Sequence, residues 1–348
     1  MKTEHSHAEP ATYAEIMGQP AAWQEALQVV DAQASALHNL WSAGDYASAI
    51  LTGCGSTYYL ALAAAALLQE WTGLPVRGVP AGELIMYPAA AYPARGRTLL
   101  VAISRSAATT ETVRAAQAFQ EGGRGDLIVV TNYGGRPLSA MGAINLVVPA
   151  GQERSVAQTR SFASMYVAMT AVAAALARRQ ELRQAMQGLP EQGRQILSRY
   201  EGLAQSLGRD LALDRFYFLG SGPRYGLACE TSLKMKEMSL SHSEPFHFLE
   251  FRHGPKSMVT PSTLAIGLLS EANRPLEATV LQDVRDLGGR TLTLSESKAD
   301  VAFASQLPEP VRNVLYLPVL QQMAYYRALA KGLNPDQPTH LDAVVRLE

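Results

Sequence analysis

Gly53-Cys54-Gly55-Ser56-Thr57-Tyr58 and Gly220-Ser221-Gly222-Pro223-Arg224-Tyr225 are two glycine-rich turns that decide the fold of this chain. Each turn follows a short apolar run, at residues 49–51 in the first case and at 216–219 in the second, and each leads into a helical pattern. The two segments align without a gap, because both glycines, the tyrosine and the Leu-Ala pair after it occupy matching positions. A strand, a glycine turn and a helix therefore occur twice, which predicts an internal repeat.

Both copies of the repeat continue with further β-rich runs. These runs lie at 99–103 and 127–131 in the first copy, and at 264–269 and 291–294 in the second. A predicted helix separates the runs within each copy. Strands that alternate with helices form parallel sheets with right-handed crossovers. The sequence therefore predicts two tandem α/β domains, each built on a doubly wound parallel sheet.

The repeat also divides the chain into segments. A first helix is expected within residues 12–41, where Pro20 interrupts a pattern rich in alanine and leucine. A second helical region, rich in Gln, Arg and Leu, is expected at 181–207. The predicted segments are an N-terminal helical segment at 1–44, a first domain at 45–185, a helical connector at 186–209, a second domain at 210–335 and a C-terminal tail at 336–348.

The composition is that of a globular protein. Of 348 residues, 47% are hydrophobic and 18% are charged, and a formal charge of -1 gives no general attraction for nucleic acid or acidic membranes. Cys54 and Cys229 lack the spacing of a metal site, so we expect a reducing cytoplasm, no disulfide and no metal. The N-terminus lacks a signal-peptide pattern, and we expect His5 and His7 to lie in a solvated chain end.

A group of hydroxyl side chains marks a candidate phosphate site in the first copy. Ser104, Ser106 and Thr109 follow a predicted strand and open a predicted helix, where backbone N–H groups already favour an anion. One hydroxyl suffices to cap a helix, so three at this spacing favour a ligand over a simple cap. Ser56 and Thr57 begin the helix after the first glycine turn, and we expect them to converge on the same ligand at the open edge of the sheet.

The second copy has a different sequence at the matching place. There the strand leads into Ser270-Glu271-Ala272-Asn273-Arg274-Pro275, which carries one hydroxyl and an acid. An acid repels an anion, and a single hydroxyl offers few donors. We therefore expect that the second copy does not bind phosphate in the way the first copy does.

A helix of the second copy carries ionisable groups on one face. Glu230, Lys234 and Glu237 recur at i, i+4 and i+7 among Leu and Met residues. Such a face is either solvated, as an exposed ion pair, or chemical. The turns that follow add further ionisable residues, namely His242, Glu244, Glu250 and His253. A carboxylate, an ammonium and an imidazole are the groups that move protons on a small polar substrate, although a structural role is favoured for His242.

With the repeat, the hydroxyl cluster and the helix before His253-Gly254-Pro255 in view, the chain resembles the double-SIS (sugar isomerase) proteins. The resemblance extends from about residue 17 to residue 348. It is a resemblance to the isomerase half of glutamine–fructose-6-phosphate aminotransferase and to the related amino-sugar-phosphate deaminases and isomerases. It implies two tandem SIS domains, each a flavodoxin-like three-layer sandwich.

The resemblance also implies roles for individual residues. Glu237 matches the carboxylate that moves a proton between C1 and C2 of the sugar, Lys234 matches the lysine beside it, and His253 matches the ring-opening histidine. In that family the histidine reaches the site from a neighbouring subunit, which implies a homodimer. The residues that match sugar-phosphate-binding positions are Ser56, Thr57, Ser104, Arg105, Ser106, Thr109, Val156 and Gln158.

Several positions depart from the aminotransferase pattern. Ala343 takes the place of the tail lysine that forms a Schiff base with the ketose, and the nearest lysine is Lys331. Arg105 replaces a glutamine, and Gln158 replaces a serine. The chain begins with Met1-Lys2 rather than with a nucleophilic cysteine, so glutamine is not the expected ammonia donor.

These departures favour the breakdown of an amino sugar over its synthesis, and residues 251–256 are similar to the deaminase and ketose–aldose isomerase branch. We expect a cytoplasmic deaminase and isomerase that converts a hexosamine 6-phosphate, first of all glucosamine 6-phosphate, to a ketose 6-phosphate and ammonia without a metal or cofactor. The alternatives are a plain ketose–aldose isomerase, a fructosamine-6-phosphate deglycase and a sensor that binds sugar phosphate without catalysis.

Overall fold

The computed structural model describes residues 10–345, which form two parallel β-sheets flanked by helices. His5, His7 and residues 346–348 lie outside the described part of the chain. The chain enters the fold through two helices, α1 (Ala11–Ala32) and α2 (Ala34–Gly44). No helix within residues 10–345 has the length and the hydropathy needed to cross a membrane.

The first copy of the repeat forms one of the two sheets. Its strands are β1 (Tyr46–Gly53), β2 (Val76–Pro80), β3 (Arg97–Ser104), β4 (Gly125–Thr131) and β5 (Ile144–Val147). They lie in the order β2-β1-β3-β4-β5, and each neighbouring pair is parallel. The helices around this sheet are α3 (Ser56–Thr72), α4 (Ala81–Met86), α5 (Pro88–Ala91), α6 (Thr110–Glu121) and α7 (Arg160–Leu176).

A helical segment joins the two copies. It consists of α8 (Gln180–Met186), α9 (Leu189–Arg199) and α10 (Glu201–Arg209). The helical region predicted at 181–207 is therefore confirmed. The division of the chain into five segments, with its boundaries, stays a prediction.

The second copy repeats the plan of the first. Its strands are β6 (Arg215–Leu219), β7 (His242–Phe246), β8 (Thr263–Leu268), β9 (Arg290–Ser295) and β10 (Val301–Ala302), and its helices are α11 (Pro223–Ser239), α12 (Arg274–Asp286) and α13 (Leu317–Ala330). The sheet order β10-β9-β8-β6-β7 is the order of the first sheet read from the other end. Both follow the flavodoxin-like pattern 2-1-3-4-5, so the prediction of two tandem doubly wound α/β domains is confirmed.

The strands that the sequence did not reveal are β2, β5, β7 and β10, and each lies at a sheet edge. A central parallel strand is covered on both faces and needs an apolar run, whereas an edge strand does not. In β7, His242 is exposed and Pro245 is tolerated at the edge. The prediction that His242 and Glu244 lie in turns is therefore wrong, because both belong to β7.

α1 runs through Pro20 without a break, so the predicted interruption is wrong. Trp23, Ala26 and Val30 of this helix are completely buried, and α1 packs along α7. The burial of this apolar face outweighs the hydrogen bond that the proline removes, because packing supplies most of the stability of a helix in a protein. The helix ends instead at Ala32.

One apolar core extends through both copies. Leu51 and Ile128 from the first sheet belong to the same buried cluster as Phe218 and Ile266 from the second, with Met169 of α7 among them. A core shared in this way favours a fixed relation between the two copies over two independent domains. A site made of residues from both copies can therefore keep its geometry.

The two copies also meet where α3 crosses α11. A Cβ atom added to Gly226 of α11 would lie 2.4 Å from the carbonyl oxygen of Tyr59 and 2.6 Å from the backbone nitrogen of Ala63, both in α3. Only glycine allows the two helix backbones to approach this closely. The helices run in opposite directions, so the beginning of α3 lies beside the later turns of α11.

Candidate active site

The hydroxyl cluster of the first copy lies at the carboxyl end of β3. Ser104 is the last residue of that strand and is buried, and its Oγ has no hydrogen-bond partner among the described residues. The Ser106 Oγ accepts a hydrogen bond from the backbone N–H of Ala108 at 3.2 Å and lies 3.4 Å from Thr109 Oγ1. Thr109 precedes α6 but makes no side-chain capping hydrogen bond. A buried hydroxyl without a partner costs about 1–3 kcal/mol, so the cluster is better explained by a ligand than by a cap.

Ser56 and Thr57 make different contacts. Thr57 Oγ1 accepts a hydrogen bond from the Cys54 N–H at 2.9 Å and donates one to the Cys54 carbonyl at 3.0 Å. A Cβ atom on Gly53 would lie 2.4 Å from this oxygen, which explains the glycine. The Thr57 hydroxyl thus holds the glycine turn together. The Ser56 hydroxyl accepts a hydrogen bond from Lys234 in the second copy instead.

Lys234 is the centre of a buried cluster that joins the two copies. Its Nζ donates to Ser56 Oγ at 3.1 Å and to Glu237 Oε2 at 2.5 Å, and it lies 3.4 Å from Glu230 Oε1. The side chain of Lys234 is 1% exposed and that of Glu237 is 19% exposed. An exposed ion pair is therefore the wrong interpretation of this helix face. Glu237 is the carboxylate of the cluster that a bound molecule can reach.

Burial and the neighbouring carboxylates have opposite effects on the pKa of Lys234. Burial alone would lower the pKa of its ammonium, but the carboxylates of Glu230 and Glu237, with a smaller contribution from Glu153, raise it above its ordinary value. Burial raises the pKa of Glu230 to about 8, even though Lys234 acts to lower it. At neutral pH the cluster therefore contains a charged lysine and a largely protonated Glu230.

The loop at 153–159 carries two predicted binding residues. Two carboxylates hold it in place, one from helix α1 and one from the loop itself. Glu15 of α1 accepts hydrogen bonds from the backbone N–H of Ser155 at 3.4 Å and from its hydroxyl. Glu153 accepts hydrogen bonds from the backbone N–H of Thr159 at 2.8 Å and from its hydroxyl at 2.7 Å. The N-terminal helix α1 thus supports the candidate site, a role that the sequence did not indicate.

Arg105 connects this loop to the C-terminal tail. Its guanidinium donates hydrogen bonds to the carbonyl oxygens of Ser155 at 3.2 Å, Val156 at 2.9 Å and Ala343 at 2.9 Å. Val156 also donates its backbone N–H to the carbonyl oxygen of Asp336 at 2.9 Å. The tail therefore lies against the loop, and the buried Arg105 side chain is engaged with protein carbonyls.

A cavity of about 230 Å³ opens between the hydroxyl cluster, the loop and the tail. Its walls are formed by Arg105, Ser106, Ala108, Tyr133, Arg136, Glu153, Arg154, Ser155, Ala343 and Val344. Arg136 and Arg154 are exposed, and neither forms an ion pair within residues 10–345. Two free guanidinium groups beside Ser106 favour an anion. Gln158 lies outside this wall and accepts a hydrogen bond from the Ser161 hydroxyl at 3.4 Å.

His253 is not part of this arrangement within a single chain. It follows the short helical turn Glu250–Arg252 and is exposed, and its side chain makes no hydrogen bond or ion pair with any residue in 10–345. Gly254 after it has a φ of 117°, which turns the backbone sharply and favours glycine. His242 is also exposed, with its Nε2 3.5 Å from Glu244 on β7. The prediction that His253 acts in the site of a partner subunit stays a prediction.

In the second copy, the side chain of Glu277 occupies the loop that corresponds to the hydroxyl cluster. Ser270 donates its backbone N–H to Glu277 Oε2 at 2.6 Å and its hydroxyl to Glu277 Oε1 at 3.0 Å. Glu277 is 2% exposed, and burial raises its pKa. The donors that would face a phosphate are thus already used by a carboxylate.

The SIS domain family model matches residues 45–175 and 213–328 of the chain. These ranges contain the hydroxyl cluster, the Lys234 cluster and most strands of both sheets. The chain therefore belongs to the SIS domain family.

Curated relatives are similar along most of the chain. Glutamine–fructose-6-phosphate aminotransferase from Gloeobacter violaceus is 31% identical over 323 residues, and the enzyme of the same name from Shewanella oneidensis is 28% identical over 320 residues. Each alignment covers 86% of this chain and 51% of the relative. The chain thus spans about half the length of the curated relatives that it matches.

Solved structures share the fold along nearly the whole chain. Glucosamine-6-phosphate deaminase from Thermotoga maritima is 25% identical, with a TM-score of 0.79 over 97% of this chain and 100% of that one. Tagatose-6-phosphate ketose/aldose isomerase from Escherichia coli is 24% identical, with a TM-score of 0.84 over 97% of this chain and 98% of that one. The overall fold is therefore shared with both.

Proposed function

We propose that this chain is a phosphosugar isomerase that deaminates a hexosamine 6-phosphate, with glucosamine 6-phosphate as the first candidate. The observation that carries the proposal is the hydrogen bond from Lys234 of the second copy to Ser56 of the first. It fixes the Glu237 carboxylate, 2.5 Å from the Lys234 ammonium, next to the copy that bears the hydroxyl cluster. The proposed site combines this proton-transfer group with the anion-binding loop of the first copy.

The phosphate of the substrate is assigned to the hydroxyl cluster. The unpaired hydroxyl of Ser104 and the hydroxyl of Ser106 lie at the carboxyl end of β3 and in the loop that leads to α6, whose first backbone N–H groups favour an anion. Arg136 and Arg154 add positive charge at the wall of the neighbouring cavity. With its phosphate held there, the sugar extends toward the partly exposed carboxylate of Glu237.

The reaction begins with ring opening, which we assign to His253 of a neighbouring subunit. In the open aldose, Glu237 removes the proton from C2, and the electron pair of that bond forms a C1–C2 double bond while the C1 oxygen takes up a proton. Return of a proton to C1 gives an imine at C2. Lys234 holds the Glu237 carboxylate in place during both transfers, because its ammonium donates to that carboxylate.

Ammonia leaves in the last step. Water adds to the C2 imine, the C–N bond breaks, and the products are a ketose 6-phosphate and one ammonia. This hydrolysis needs no Schiff base with an enzyme lysine, which agrees with Ala343 at the tail position. The similarity to the Thermotoga maritima protein named glucosamine-6-phosphate deaminase, at 25% identity, supports the same reaction.

A coupled assay of ammonia and ketose formation tests the proposal. The substrates are the 6-phosphates of glucosamine, galactosamine and fructosamines, together with a plain aldose 6-phosphate. We expect equal amounts of ammonia and ketose from one hexosamine 6-phosphate. Ketose without ammonia from the aldose alone would indicate a plain isomerase, release of an amine from a fructosamine would indicate a deglycase, and binding without any turnover would indicate a sensor.

The assignment of His253 to a partner subunit has its own test. Chains carrying Glu237→Gln are mixed with chains carrying His253→Ala under conditions that exchange subunits. In a twofold dimer each mixed pair contains one site with both groups intact, so about a quarter of the wild-type activity is expected to return. If the mixture stays as inactive as the two separate variants, His253 acts within its own chain or has no role in the reaction.

A further inference from the structure

A second cavity, of about 310 Å³, is lined by residues from both copies. Its walls are formed by Glu70, Ser221, Gly222, Pro223, Arg224, Ala272, Asn273, Glu309, Pro310 and Asn313. None of these residues belongs to the Lys234 cluster or to the hydroxyl cluster. The cavity is therefore separate from the candidate active site.

The internal repeat explains why this cavity exists. In the gapless alignment of the two glycine turns, Glu70 of α3 corresponds to Glu237 of α11, and Arg224 corresponds to Thr57. Asn273 lies in the loop after β8, which corresponds to the loop of the hydroxyl cluster after β3. The fold thus builds the same kind of cleft twice, and the second cleft is open.

The second cleft lacks the groups for proton transfer. Leu67 of α3 occupies the position that corresponds to Lys234, and Ala63 corresponds to Glu230. Both are buried apolar residues. Glu70 therefore has no ammonium to orient it, and chemistry of the kind assigned to Glu237 is not expected in this cleft.

The charges of the cleft select against a phosphate. Arg224 is 7% exposed, and its Nη1 donates to Glu309 Oε1 at 2.9 Å, so its charge is already paired. The same Glu309 oxygen accepts the backbone N–H of Glu271 at 3.0 Å. The donors of Ser270, which would face a phosphate, are used by the buried Glu277.

The remaining polar groups fit a small cation that carries hydroxyl groups. Glu70 is exposed and forms no ion pair within the described residues, so it offers a free carboxylate. The amide of Asn273 and the hydroxyl of Ser221 offer hydrogen bonds, and the Nε of the buried Arg224 lacks a partner. A carboxylate pairs with an ammonium, and the amide and hydroxyl pair with a polyol.

We propose that this cleft is a second, non-catalytic binding site for an amino sugar that carries no phosphate. It is separate from the proposed reaction and does not depend on it. The probe is glucosamine, and glucose and fructose 6-phosphate are the comparison ligands. Isothermal titration of the full chain is expected to show one glucosamine per chain, with at least about tenfold weaker binding of glucose, which lacks the ammonium.

Two variants locate the site. Glu70→Gln removes the free carboxylate from an exposed position and is expected to weaken glucosamine binding about tenfold, while Glu244→Gln, on the edge strand β7, leaves it unchanged. Saturation with fructose 6-phosphate is expected to leave glucosamine bound. The proposal is overturned if glucosamine does not bind, if Glu70→Gln binds it as tightly as wild type, or if fructose 6-phosphate displaces it. Ammonia release from hexosamine 6-phosphates is measured separately, so failure here leaves the proposed reaction untouched.

Discussion

The loops that follow β3 and β8 occupy equivalent places in the two copies but use their donors in opposite ways. After β3, the buried hydroxyl of Ser104 has no partner among the described residues. After β8, Ser270 gives both its N–H and its hydroxyl to Glu277. A single buried carboxylate thus turns an anion-binding loop into a structural one, although the backbone plan is the same.

The helices α3 and α11 also occupy equivalent places in the two copies, but only α11 carries ionisable groups at the positions of Lys234 and Glu230. Lys234 and Glu230 of α11 correspond to Leu67 and Ala63 of α3, so only one of the two equivalent helices carries a buried ionisable cluster. In the proposed function, the first copy holds the ligand and the second moves the protons. On this proposal a complete site requires both copies.

The largest effect on activity is expected from a substitution of Glu237, whose carboxylate lies where the two copies meet. Glu237→Gln keeps the size of the side chain but cannot carry a proton, so kcat on the hexosamine 6-phosphate should fall by about 10²–10⁴-fold. Binding of fructose 6-phosphate should change little. Glu244→Gln, on the edge strand β7, serves as the control and should retain wild-type turnover. Equal loss of activity in both variants would contradict the assignment.

Alanine substitutions at Ser104 and Ser270 are expected to differ in what they affect, the first changing ligand binding and the second changing stability. Ser104→Ala is expected to weaken fructose 6-phosphate binding about 10- to 100-fold without loss of stability, because it removes a hydroxyl that has no partner within the described residues and is proposed to bind the phosphate. Ser270→Ala is expected to lower the free energy of unfolding by about 1–3 kcal/mol without changing binding, because it leaves Glu277 short of a donor. Calorimetric titration and urea unfolding measure the two effects. If the results are reversed, the loops have been assigned to the wrong roles.

A single substitution at Gly226 is expected to loosen the contact between the two copies. Gly226→Ala would place a Cβ atom 2.4 Å from the Tyr59 carbonyl oxygen, so α3 and α11 must separate. We expect a loss of about 1–3 kcal/mol in the free energy of unfolding and weaker catalysis, because the Ser56 to Lys234 contact depends on the same packing.

The control for this change is Gly202→Ala in α10. A Cβ atom at Gly202 meets nothing within 4 Å, so stability should stay the same or rise by up to about 1 kcal/mol. Urea unfolding of both variants measures the difference. Equal stability of the two variants would show that the close approach at Gly226 does not hold the copies together.

The last prediction concerns the dependence of stability on pH. The pKa of Glu230 is raised to about 8 in the folded protein, so the folded state keeps a proton that the unfolded state releases. Stability therefore falls as the pH rises between about 5 and 8, by at most about 1.4 kcal/mol per pH unit from this group. In Glu230→Gln, which does not titrate, this part of the slope should vanish. Parallel stability curves for the two proteins would contradict the buried, protonated state of Glu230.

The parts of the candidate site that could be predicted from the sequence are local in the chain. The glycine turns, the three hydroxyls after β3 and the i, i+4, i+7 spacing of the Lys234 cluster are each contained in a short stretch. The central strands were also predicted, because a strand covered on both faces must be a continuous apolar run. The edge strands were missed because one open side removes that requirement, as the polar sequence of β7 shows.

The contacts that the sequence did not indicate include two between residues far apart in the chain and one across seven residues. Glu15 binds Ser155, Arg105 binds the carbonyl oxygen of Ala343, and Glu277 occupies the donors of Ser270. An acid in a helix pattern or an arginine after a strand is typical of many surface positions. Only burial and the position of the partner, which are set by tertiary packing, distinguish these residues.

The claim that Glu237 carries a proton to a sugar held by the other copy is tested most directly in deuterated water. The Glu237 side chain is 19% exposed, so its proton can exchange with solvent between the two transfers. Wild-type protein supplied with glucosamine 6-phosphate is expected to form a ketose 6-phosphate with deuterium at C1, and Glu237→Gln is expected to form it about 10²–10⁴-fold more slowly. Formation of the deuterated ketose at the same rate by both proteins would contradict the account.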